Sequence, residues 1–131
     1  MRNKNFVGGF LAVVILMVIG LGCSGHGTKL EFNGGDLYYT DNVTEVDAKK
    51  LGNYLVEQGF YDGKPKSVQL DKSGSAYQFR MVVQPEKQND KATMEIMKTF
   101  GVELSSDVFN GAPVEMHVCD EQLKTLRVIN S

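Results

Sequence analysis

The chain has 131 residues, 42% of them hydrophobic, and its 14 basic against 16 acidic side chains leave a net charge of −2. That length suits one domain with a modest core. The slightly acidic balance lacks the basic footprint that a phosphate backbone demands, so nucleic acid is excluded as the expected partner. Two cysteines, Cys23 and Cys119, are too few for a disulfide-stapled scaffold.

The N-terminus is the first element. Arg2 and Lys4 precede residues 6–22, which hold no charged side chain, and Cys23-Ser24-Gly25 follows. A short basic head, an apolar stretch and a small residue before a cysteine make an export signal rather than part of a fold. Residues 1–22 are expected to be a signal peptide or membrane anchor, residues 23–28 a tether, and residues 29–131 a single α+β domain. The run Ile19-Gly20-Leu21-Gly22-Cys23 resembles a bacterial lipoprotein signal, which implies lipid attachment at Cys23. Gly20 departs from that pattern, standing where it normally has Leu. Two other fates stay open. At about 1.5 Å per residue, residues 6–22 span roughly 25 Å as an uncleaved helix, slightly short of a bilayer core of about 30 Å. Plain cleavage and release is the other. All three place the domain in an extracytoplasmic location, and two of them hold it on the membrane of the cell envelope. Without Arg2 and Lys4, twelve basic groups face sixteen acidic ones, a net charge of −4.

Within the domain, residues 29–32 and 37–40 flank Asn33-Gly34-Gly35-Asp36, a strong hairpin turn. Val43-Thr44-Glu45-Val46-Asp47-Ala48 is a helix start: Thr44 caps, Asp47 takes the capping-box position, and Val43 can staple onto Ala48. Ala48, Leu51, Tyr54 and Leu55 recur at helical spacing, and Gly59 ends the run. Residues 67–70 and 76–83 form a second hairpin around Asp71-Lys72-Ser73-Gly74-Ser75. There Tyr77, Phe79, Met81 and Val83 alternate with Gln78 and Arg80, the pattern of a half-buried strand. A second helix runs from Asn89-Asp90 to Phe109 with Met94, Met97, Phe100, Gly101, Leu104 and Val108 as its stripe. Asn110-Gly111 and Pro113 end it. Residues 114–119 and 124–129 make the third hairpin.

The order ββαββαββ predicts an antiparallel sheet of three hairpins with both helices on one face. Phe60-Tyr61-Asp62-Gly63-Lys64-Pro65 and Phe109-Asn110-Gly111-Ala112-Pro113 share a pattern, as do Phe79-Arg80-Met81-Val82 and Leu126-Arg127-Val128-Ile129. These pairs predict a duplicated unit.

That architecture leaves one sheet face without a helix, expected to carry Tyr38, Gln69, Gln78, Arg80, Glu115, His117, Cys119 and Arg127. Such a face is ordinarily solvated, and it is also the candidate binding surface, centred on Tyr38, Arg80, His117 and Arg127. Glu115, His117 and Cys119 alternate on one strand, but a single strand does not wrap a metal and no second His or Cys cluster completes the set. Cys119 beside His117 lacks an orienting third group for nucleophilic catalysis. No catalytic residue, metal or cofactor is expected.

The runs Gly35-Asp36-Leu37-Tyr38-Tyr39-Thr40, Val43-Thr44, Leu51-Gly52, Tyr54-Leu55 and Gly59-Phe60 resemble those of a family of small uncharacterised bacterial domains. The similarity continues through residues 77–83 to Leu126-Arg127-Val128. Members often sit behind a signal peptide or membrane anchor, and the resemblance implies no activity, substrate or site residue. The expectation is therefore a membrane-anchored extracytoplasmic binding module. The alternative is an exported inhibitor or accessory subunit of an envelope enzyme.

Overall fold

A computed structural model describes residues 26–130. The expected export segment 1–22 and the lipid at Cys23 lie outside those residues. The elements are β1 (Thr28–Phe32), β2 (Gly35–Tyr39), α1 (Glu45–Glu57), β3 (Ser67–Ser73), β4 (Ala76–Val82), α2 (Lys91–Asp107), β5 (Val114–Cys119) and β6 (Thr125–Asn130). A 3₁₀ turn at Pro85–Lys87 precedes α2.

Both helices begin where a side chain can take the first free amides. Thr44 accepts from the Asp47 amide at 3.1 Å. Asp90 accepts from the Thr93 amide at 3.0 Å and from its hydroxyl at 2.6 Å. Each such cap stabilises a helix by about 1 kcal/mol. Their ends match too: the Phe60 amide reaches back to Leu55 and the Phe109 amide to Leu104. Gly59 (φ 83°), just before Phe60, and Asn110 (φ 55°), just after Phe109, turn the chain through the left-handed region that stops a helix.

The six strands lie side by side in chain order. β1–β2, β3–β4 and β5–β6 are antiparallel, whereas β2–β3 and β4–β5 are parallel. The sheet is mixed, which corrects the antiparallel expectation. The reason lies in the connections. A helix that packs back along the sheet carries the chain to the end where the last strand began, so the next strand runs parallel to it. The three hairpins are antiparallel as expected, and apolar and polar residues alternate along the strands because only one sheet face carries helices.

On that face Leu37, Val68, Leu70, Phe79, Met81, Met116 and Val118 are fully buried, and they share one core with Ala48, Leu51 and Leu55 of α1 and Met97, Phe100 and Leu104 of α2. Phe79 sits at the centre, its ring edge-on to Phe60 at 6.3 Å and to Phe100 at 5.5 Å. At the β1 end, α1 comes so close that a Cβ on Gly52 would stand 2.1 Å from the Phe32 ring.

Candidate binding face

The opposite sheet face is built by register. Tyr38 pairs with Gln69, Gln69 with Arg80, Arg80 with His117 and His117 with Val128, one row across β2 to β6. A second row runs Asp71, Gln78, Glu115 and Asn130. Tyr38, Arg80 and His117 therefore stand in line, as expected.

Arg127 does not join them. It pairs with Val118, a core residue, so it lies on the helix-bearing face, where its Nη2 donates to Asn89 Oδ1 at 2.8 Å. The register shift between Val118 and Cys119 is the cause. Thr125 still meets His117, but one irregular step moves every later residue of β6 to the other side.

The face is also less open than expected. Leu123 packs with Val82 and Cys119 as a small second core, with Tyr38 against it. Leu123 has φ 63°, a conformation that costs an L-residue about 1–2 kcal/mol. Its carbonyl accepts from Arg80 Nη2 at 3.1 Å, while Arg80 Nε is buried with no hydrogen-bond partner among the described residues. At the other side His26, placed by the sequence in a tether, is engaged. Its carbonyl accepts from Gln69 Nε2 at 2.9 Å and its ring meets Tyr38 edge-on at 5.9 Å.

Between these covers lie two polar clusters, one around His117 and one around Asp71. His117 Nε2 is 3.1 Å from Glu115 Oε1, to which Gln78 Nε2 also donates at 3.3 Å. His117 Nδ1 is 2.9 Å from Thr125 Oγ1. A carboxylate can only accept, so in the neutral ring Nε2 carries the proton and Nδ1 accepts from the threonine hydroxyl. Both ring nitrogens are thus engaged. Asp71 accepts from Thr40 Oγ1 at 2.6 Å, Asn42 Nδ2 at 3.1 Å and the Lys72 amide at 2.8 Å. Burial opposes its ionisation, but these bonds and the charge of Arg80 outweigh it and lower its pKa. Burial, then the charge of Asp36, raises the pKa of the Tyr38 hydroxyl.

Cys119 is wholly buried, and burial pushes its thiol up to about 11 against the nearby charge of Arg80. At neutral pH it is protonated, the opposite of an activated nucleophile. Among the described residues no group of three or more His, Cys, Asp or Glu is placed to hold a metal ion. Beside the face, Val83, Pro85, Gln88, Asp120, Glu121 and Gln122 line a shallow cleft of about 240 Å³. What the surface offers is recognition: an aromatic ring, a guanidinium and amide and carboxylate groups set on rigid strands. Sequence reasoning missed Leu123, Thr125 and His26. Thr125 was within reach, since it follows the turn on the strand facing His117. Nothing in the local pattern marks a leucine for the left-handed position.

Residues 29–131 match the model of a protein family described as a family N-terminal domain. No curated protein and no solved structure matches the chain.

Proposed function

We propose that this chain, which belongs to the AF_1994_N family with its matched domain at residues 29–131, is a membrane-anchored extracytoplasmic binding module with no catalysis of its own. The observation that carries this reading is the row of Tyr38, Gln69, Arg80 and His117 on the face that no helix covers. Gln69 and His117 are themselves buried, so a partner meets the half-buried Tyr38 and Arg80 on a surface preformed by four neighbouring strands, and little ordering entropy is lost. The anchor is residues 1–22 or a lipid on Cys23, and the basic head at Arg2 and Lys4 supports that orientation. The two β–α–β halves are copies of one unit in this reading, supported by their matching helix ends at Phe60 and Phe109.

One preparation tests both parts. The chain, with a photoreactive residue replacing Tyr38, is irradiated in native membranes, extracted and weighed intact. The expected product starts at Cys23, carries acyl mass and forms a covalent adduct that Arg80→Ala abolishes. Arg127→Ala, on the other face, leaves the adduct unchanged. A chain retaining Met1 replaces the lipid by a helical anchor, and absence of any adduct sinks the binding face.

A further inference from the structure

The path of the chain into β1 is fixed on the helix-free face. Gly27 stands at φ 101°, and a Cβ there would lie 2.2 Å from the Tyr39 carbonyl oxygen, so only glycine makes this bend. The bend lays His26 over the sheet, where its carbonyl accepts from Gln69 Nε2 at 2.9 Å and its ring meets Tyr38 edge-on at 5.9 Å. His26 is thus where the chain enters the described domain, above this face. Cys23 stands three residues earlier. Successive Cα atoms are about 3.8 Å apart, so the two residues are separated by no more than about 11 Å. A lipid on Cys23 and a helix ending at Gly22 both bring the bilayer surface to that point. A gap of about 11 Å is the thickness of one helix. Beside Tyr38, no folded domain fits between the face and the bilayer.

We propose that the helix-free face lies flat on the membrane that anchors the chain, and that its partner is the zwitterionic phospholipid headgroup layer. This rests on the anchored reading above and names what the face meets. Lys29 and Arg80 stand on it among Glu31, Asp36, Asp71 and Glu115, two positive charges against four negative. Headgroups that carry both an ammonium and a phosphate suit such a mixture, whereas an anionic layer repels its surplus of negative charge. Tyr38, an amphipathic ring of the kind that settles where one end is apolar and the other wet, stands beside the tether. Val128, 44% exposed, offers an apolar contact four strands away. Weak affinity is enough, because so short a tether keeps the face at high effective concentration over the bilayer.

The test reconstitutes the full chain in phosphatidylcholine vesicles whose headgroups carry nitroxide quenchers. A fluorescent residue replaces either Val128 or Val102, the latter 53% exposed on α2 in the opposite layer. At about 4.8 Å per strand, Val128 lies roughly 19 Å across the sheet from Tyr38, so its depth separates a face lying flat from one standing on edge. Emission at Val128 is expected to be quenched several-fold more than at Val102. That difference is expected to shrink when phosphatidylglycerol is mixed into the vesicles, or when about ten Gly-Ser residues are inserted after Ser24 to slacken the tether. Equal quenching at the two sites in vesicle-bound chain overturns the proposal and leaves the anchor standing. A chain that does not stay with the vesicles overturns the anchor as well. Crosslinking from position 38 to a protein in native membranes, with Val128 unquenched, assigns the face to a protein partner and also overturns the proposal.

Discussion

At Gly35 the absence of a side chain is a packing requirement. A Cβ there would stand 2.3 Å from the Tyr61 ring and 3.0 Å from the Lys66 carbonyl oxygen. Neither neighbour can give way easily: Tyr61 is 1% exposed, with its hydroxyl donating to the Asp36 carbonyl at 2.8 Å. Alanine would gain about 0.5–1 kcal/mol from reduced backbone entropy, but overpacking costs about 1–3 kcal/mol. Gly35→Ala is therefore expected to lower the urea midpoint, and an unchanged or raised midpoint would show that Tyr61 does not sit where described. The sequence marks Gly35 as part of a turn. It does not mark the tyrosine, twenty-six residues on, that fills the space.

Among the elements, the β5–β6 hairpin is where local preference and tertiary packing disagree. Leu123 holds the left-handed position of the turn, yet its side chain is 3% exposed in the small core with Val82 and Cys119. Burial of a leucine is worth about 1.5–3 kcal/mol, which outweighs the backbone strain of about 1–2 kcal/mol. Substitutions here should reverse the usual ranking. Leu123→Ala loses the burial and keeps the strain, whereas Leu123→Gly loses the burial and sheds the strain. Equilibrium unfolding is expected to rank the glycine variant above the alanine variant, and the opposite order would remove strain from the account. The same hairpin sets Arg127 out of the phase that its sequence alternation predicts. Its likeness to Arg80 in sequence holds, but one irregular step at Val118 and Cys119 puts it on the other face.

For the whole molecule, alkaline pH probes how tightly the helix-free face is sealed. The Cys119 thiol stands at about 11 when folded, against an ordinary value of 9.0, chiefly because it is buried. A raised folded value means the native state holds the proton longer. Its contribution is fully present below pH 9 and is lost as pH rises toward 11. That amounts to about 2–3 kcal/mol over the window. Cys119→Ala is expected to unfold with a shallower decline between pH 9 and 11 than the parent chain. Identical slopes would mean that solvent reaches the thiol under Leu123. The sequence by itself determined the element order, the helix caps at Thr44 and Asp90, and the buried stripes, because each depends on residues within a turn or two of one another. Only the tertiary structure decided that β2–β3 and β4–β5 run parallel, that Arg127 leaves the row of Tyr38, Arg80 and His117, and that Leu123 and His26 lie against that row. Those outcomes depend on how helices return the chain and how strands slip in register, and both are settled by contacts between segments far apart in the chain.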